Sequence, residues 1–226
     1  MRVIVKYSKN EEAIYVSHLD VQRSMQRTLR RSGLPIKYSL GFHPHVSLTF
    51  ALPLSVAVES KGEYMEFSLV EYVPPQTIKS KINQVIAPGF YAESCGYISS
   101  EYKSLMSMVA MCEWTVIVSN ISEKELDEKI KQVYESTEIF VEKHTKKGFR
   151  DVEIREGIYD IKPILDIPNG VSMRLASGGK NNISPKLVLA AMNIEPKYAK
   201  IIRKDIYFEK AGKHYPLLSM CNKPNF

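Results

Sequence analysis

The sequence predicts an α+β protein made of two successive units with antiparallel sheets. Three observations point there. Short runs are rich in β-branched and aromatic residues, amphipathic stretches with helix caps lie between them, and the element order is the same in both halves of the 226 residues. Residues 3–7 (Val-Ile-Val-Lys-Tyr) alternate as a strand. Ser17-His18-Leu19-Asp20 then starts a helix, with Ser17 as cap and Asp20 placed to return the hydrogen bond. That helix should run to about Ser32 and stop at Gly33, before Pro35. Strand signals follow at 36–39, 46–52 and 64–69. Pro74-Pro75 opens a second helix through Ile78, Ile82 and Ile86, closed by Gly89, and 90–98 returns as a strand.

The second half repeats the plan. Residues 114–119 read as a strand, and Ser122-x-x-Glu125 is a capping box before Leu126, Ile130 and Val133. Extended segments follow at 139–141, within 152–164 and at 171–175. Ser184-Pro185 opens the last helix, with Leu187, Val188, Ala191 and Met192 on its buried side, and 201–208 closes the set. The order β-α-β-β-α-β is that of a ferredoxin-like unit, so the expected fold is a tandem of two. The units fall at 1–98 and 108–209, joined by the Ser-rich connector 99–107 and followed by a tail at 210–226.

Composition narrows the class. Hydrophobic residues make up 44% and charged residues 25%, an ordinary globular balance that excludes a disordered or collagen-like chain. Cys95, Cys112 and Cys221 are odd in number and far apart in sequence, with no spacing for a disulfide framework, a zinc site or an iron–sulfur cluster. The uncharged run 38–58 has membrane-spanning length, but Pro44, Pro53, Gly41 and its alternating pattern read as strand and loop. No apolar stretch near the first residues suits a signal peptide. The expectation is a soluble cytoplasmic protein with no membrane partner and no cofactor of its own.

Charge is uneven. Residues 1–50 hold eight Lys/Arg against Glu11, Glu12 and Asp20, which places +5 of the net +6 there. On a helical wheel, Val21, Met25 and Leu29 form one stripe, widened by Ser24 and Thr28. Arg23, Arg27 and Arg30 fall opposite, with Arg31 on the flank. Guanidinium forks suit bidentate phosphate contact and stacking on bases, so the face suggests a polyanion. The competing reading is a solvated face whose arginines pair with Asp20, Glu63 or Glu66.

The loop Ser39-Leu40-Gly41-Phe42-His43-Pro44-His45 follows, after Lys37. Phe42 beside basic residues is what base stacking needs, and it equally suits a plug in the core. Three of the five histidines (His18, His43, His45) lie in 18–45. They lack the further ligands of a metal site, while His18 or His45 suits general acid–base work. Two weaker motifs stand in the second half. Residues 177–182 (Ser-Gly-Gly-Lys-Asn-Asn) can hold an anion or form a plain turn. The basic stretch 143–150 with Phe149 can extend an RNA surface or form a solvated hairpin tip.

The run Tyr7-Ser8-Lys9, Tyr15-x-Ser17-His18-Leu19-Asp20-x-x-Arg23, Arg30-Arg31-x-Gly33-Leu34-Pro35, Tyr38-Ser39-x-Gly41-Phe42-x-Pro44-His45, with Pro53-Leu54, Ser60 and Glu63, resembles the uncharacterised radical-SAM-associated proteins. These are a bacterial domain of unknown function, encoded beside or fused behind a cobalamin-binding radical SAM protein. The resemblance implies a radical SAM partner. In element order and basic first helix the chain is also similar to the CRISPR repeat-processing endoribonucleases. Their glycine-rich loop near the C-terminus has no match, since Gly178-Gly179 comes earlier.

Three readings follow. The first is a non-catalytic RNA-binding accessory that presents tRNA or rRNA to a radical SAM modification enzyme through Arg23, Arg27, Arg30, Arg31, Lys37, Phe42, His43 and His45. The second is a metal-independent RNA endonuclease using His18 or His45. The third is a protein-interaction scaffold for the radical SAM partner.

Overall fold

Residues 3–5 and 7–9 are buried on both faces of an extended chain, and residues 2–9 form β1 (Arg2–Lys9), flanked by antiparallel neighbours on each side. The computed structural model describes residues 1–145, 148–179 and 181–221. It is an α+β fold with antiparallel strand pairs and, among the described residues, five α-helices. The chain forms two units: Met1–Ala110 with the chain from Asp205 onward, and Met111–Lys204.

In the first unit β1 leads to α1 (His18–Arg31), β2 (Thr49–Phe50), β3 (Glu59–Ser68), α2 (Pro75–Asn83), β4 (Phe90–Ile98) and the short α3 (Leu105–Met108). The strand order is β4-β1-β3, and β2 pairs with β3 at Thr49↔Glu66 and Phe50↔Met65. Val3, Val5 and Tyr7 pack with Val21, Met25 and Leu29 of α1 and with Ile78 and Ile82 of α2. Each such aliphatic side chain contributes roughly 1.5–3 kcal/mol on burial. Both helices therefore cover one face of the sheet.

Three elements differ from expectation, the first being the strand expected at 36–39, of which only isolated bridges at Ile36 and Tyr38 form. The strand expected at 46–52 is reduced to Thr49–Phe50, with single bridges at Ile36↔Leu69 and Tyr38↔Val46. Pro44 and Pro53 flank it and have no N–H to give a ladder. The second helix stops at Asn83 and does not reach Gly89. The Asn83 amide bonds Ala92 in both directions (2.8 and 3.0 Å), and Pro88 steers the preceding backbone away from helix. The connector 99–107 is pinned by Arg2, which pairs with Glu66 (2.6 Å) and donates to the carbonyls of Tyr102 (2.6 Å) and Lys103 (3.0 Å).

The second unit runs β5 (Val109–Val118), α4 (Glu123–Glu135), β6 (Phe140–Thr145), β7 (Gly148–Glu153), β8 (Ile158–Pro163), β9 (Gly170–Ala176) and α5 (Pro185–Ala191), then β10 (Ala199–Lys210). Its strand order is β10-β5-β9-β8, with β6 and β7 as a separate hairpin. β5 begins five residues before the expected Trp114. Ser122 caps α4 by accepting from Glu125 N (3.2 Å), as its capping box predicts. On α5, Leu187, Val188 and Leu189 are buried and Met192 follows them inside, while Ala191 is half-buried.

From Asp205, β10 belongs to the first unit. Asp205 accepts from Tyr64 Oη (2.5 Å) and from Lys6 Nζ (2.6 Å). β11 (Lys213–Pro216) pairs with β10, and a 3-10 turn at Leu217–Met220 buries Leu217 and Met220, all within the stretch expected as a tail. Residues 222–226 of that stretch lie outside the described residues. A Cβ at Gly96 would stand 2.6 Å from Cys221 Cβ, so glycine lets this turn approach the sheet. All three cysteines are free, and burial pushes the thiol of Cys95 up to about 11 and that of Cys221 up to about 12. Among the described residues, no helix is long and apolar enough to cross a membrane.

Candidate nucleic-acid interface

α1 follows from its sequence. Asp20 N donates to Ser17 Oγ (3.2 Å), which satisfies one free amide of the first turn. The return bond is not the backbone contact expected of a capping box: the Ser17 hydroxyl donates to Asp20 Oδ2 (2.7 Å). That bond, and then the one from Arg23, holds the Asp20 carboxyl below its usual range. At the other end Ser32 caps the helix and Gly33 takes φ +64, a left-handed turn that suits glycine.

Val21, Met25, Thr28 and Leu29 are the buried residues of this helix. Arg23, Arg27, Arg30 and Arg31 are exposed. Arg23 pairs with Asp20 at 3.1 Å, in the open, where such pairs contribute roughly 0–1 kcal/mol. Arg27, Arg30, Arg31 and Lys37 form no ion pair or hydrogen bond through their side chains with any described residue. The carboxylates that might have neutralised the row are engaged elsewhere: Glu66 holds Arg2, and Glu63 is buried. Arg23 and Arg30 are seven residues apart, roughly 10 Å along the axis. The face is thus an open cationic row, with Arg30 and Arg31 also favoured by the helix dipole.

The loop is a closed neck with a bare tip. Ser39 N donates to His45 O (2.9 Å), His45 N donates to Ser39 Oγ (3.0 Å), and Ser39 Oγ meets His45 Nδ1 at 2.8 Å. Gly41 takes φ +122, outside the range of other residues. Phe42 and Leu40 are fully exposed, which settles the core-plug alternative against burial. His43 and His45 are exposed as well.

His18 stands at the helix start, half-buried, edge-on to Phe50 (centroids 5.5 Å apart), with Nε2 facing the Gln22 amide nitrogen at 3.2 Å. Desolvation lowers its pKa from 6.5, partly offset by Glu63, while Lys9 lowers it further. Above 6.5 neither the folded nor the unfolded chain is protonated there. Below it the unfolded chain binds a proton first, so stability should fall as pH drops through the lowered value. His18→Gln should flatten that acid limb in urea titrations. An unchanged limb would show that His18 does not contribute to it. No hydrogen bond joins His18 to His45.

Lys9 is the residue that sequence reasoning missed as part of this site. Only 2% exposed, it donates to Ile14 O (3.2 Å) and Val16 O (3.0 Å), and so fixes the turn that delivers Ser17. Its position in an alternating strand gave no sign of this. Of the weaker motifs, the 143–150 stretch forms the β6–β7 hairpin with Phe149 exposed, though Lys146 and Lys147 lie outside the described residues. In the Gly-rich loop, Ser177 is buried and Lys180 is likewise outside. Among the described residues, no group of three or more His, Cys, Asp or Glu side chains is gathered as metal ligands.

No curated protein matches the chain significantly. A family model described as "Uncharacterized protein conserved in bacteria (DUF2344)" matches residues 2–185, which include the whole arginine helix, its neighbouring loop and the start of α5. The chain belongs to that bacterial family.

Proposed function

We propose that this protein is a non-catalytic RNA-binding accessory, working with a cobalamin-binding radical SAM enzyme in modification of tRNA or rRNA. The observation that carries the reading is the open row Arg27, Arg30 and Arg31, without ion-pair or hydrogen-bond partners among the described residues, on the same unit as a bare Phe42. Cationic forks neutralise phosphates and an exposed aromatic stacks on an unpaired base. The radical SAM partner rests on the resemblance in residues 7–63. The finer fold reading, two ferredoxin-like units, is supported by the strand orders β4-β1-β3 with β2 beside β3, and β10-β5-β9-β8.

The test is filter binding of tRNA and rRNA fragments across a salt series. The unaltered chain should bind with a steep salt dependence. Arg27→Ala with Arg30→Ala should weaken binding roughly tenfold or more and lower the salt slope by about 2, with the melting temperature retained. Equal affinity and slope would refute the arginine row. One observation favours the endonuclease alternative: the lowered pKa of His18 keeps a neutral imidazole at physiological pH. RNA cleavage by the unaltered chain that disappears in a folded His18→Ala variant would establish that reading instead.

A further inference from the structure

A second surface of the first unit has a different chemistry. On the sheet face turned away from α1 and α2, a groove of about 630 Å³ lies along β1 and β4. The pairing of these strands slips between Lys6 and Tyr7: Lys6 is opposite Ser94, Tyr7 is opposite Ala92, and Glu93 is left without a partner. Such a bulge re-aims side chains. Here it puts Glu93 and Ser94, consecutive in sequence, on the lining of one groove together with Tyr91. Tyr91 is 45% exposed on β4, and Lys79 of α2 stands over its ring at 5.6 Å from the centroid.

Four of the groups around this ring are uncommitted among the described residues. Lys61 is exposed and makes no ion pair with a described residue. The side chains of Asn10, Glu93 and Ser94 make no hydrogen bond with one either. Lys6 also lines the groove, held by Asp205. An aromatic face, two lysines at the floor and rim, a free carboxylate and two free neutral donor–acceptors form a set that matches one nucleotide. The base lies along the Tyr91 ring, its phosphate meets Lys61, and its amino group donates to Glu93. A duplex hides base faces in its stack, so the ligand must be single-stranded.

We propose that this groove binds a nucleotide of a single-stranded RNA segment, so that the protein grips RNA by the sheet face as well as by α1. The proposal rests on the RNA-binding reading above. Binding of the full chain to fluorescein-labelled oligocytidine tests it. Tyr91→Ala and Lys61→Ala should each weaken binding roughly tenfold, and Tyr91→Phe should restore it. Ultraviolet crosslinking should attach the oligonucleotide to the peptide carrying Tyr91. Full affinity in Tyr91→Ala alongside loss in Arg27→Ala/Arg30→Ala overturns the groove and leaves the helix reading standing. Loss in Tyr91→Ala with full affinity in the arginine variant supports the groove and removes the helix. An unaltered chain that binds no RNA overturns both.

Discussion

Gly89→Ala is expected to cost roughly 2–5 kcal/mol of stability, a large fraction of the 5–15 kcal/mol typical of a folded domain. Gly89 has φ +80, which for an L side chain costs about 1–2 kcal/mol. The added Cβ would stand 2.7 Å from Ala13 Cβ and 2.9 Å from Ala13 N. The second of these is backbone and cannot swing aside, so the crowding adds roughly 1–3 kcal/mol. The 10–16 turn must then move, although Asn10 N is anchored to Gly89 O at 2.8 Å. Urea unfolding followed by far-ultraviolet circular dichroism measures the effect. Gly41→Ala is the control: its φ of +122 is equally left-handed, but a Cβ there meets nothing within 4 Å. It should cost about 1–2 kcal/mol. Equal losses in the two variants would show that the contact at Ala13 contributes nothing.

Lys9→Met should cost about 2–4 kcal/mol, from two charge-assisted hydrogen bonds lost to partly buried carbonyls. Methionine keeps the length of the stem, so the loss reports on the ammonium and not on a cavity. The Lys9 bonds to Ile14 O and Val16 O hold the segment just ahead of the Ser17 cap. On the RNA-binding proposal, the variant should therefore also bind RNA more weakly without touching an arginine. Hydrogen exchange at the amides of the first α1 turn would read the loosening directly. Unchanged protection there would show that the turn does not depend on Lys9.

Much of α1 was legible because one fourteen-residue element carries a cap, a stripe and a glycine stop that all agree. β4 was read at its true bounds, 90–98, because Gly89 and its alternating pattern mark them. The rest depended on neighbours distant in sequence. Lys9 lay just beyond the strand read at 3–7 and Glu63 was read as a possible partner of the helix arginines, and both are buried in the fold. The Glu93 bulge comes from the register between β1 and β4, which no local pattern encodes. Phe42 stood between core and solvent until the Ser39–His45 neck placed it outside. The β6–β7 hairpin was read as a hairpin tip at 143–150 without the extent of its strands, and β11 was read as tail, for a different reason. Both are short, polar and paired with their immediate neighbours, so they carry little hydrophobic signal.

The crossing of β10 from one unit to the other bears on biosynthesis. A ribosome delivers Lys6 and Tyr64 long before Asp205, the acceptor that both require. The amino-terminal unit therefore emerges first and is completed late, with the ammonium of Lys6 and the phenol of Tyr64 lacking Asp205 while the middle of the chain is translated. A gene fragment ending at residue 110 would encode that unfinished state permanently, and its product should be a client for chaperones and proteases.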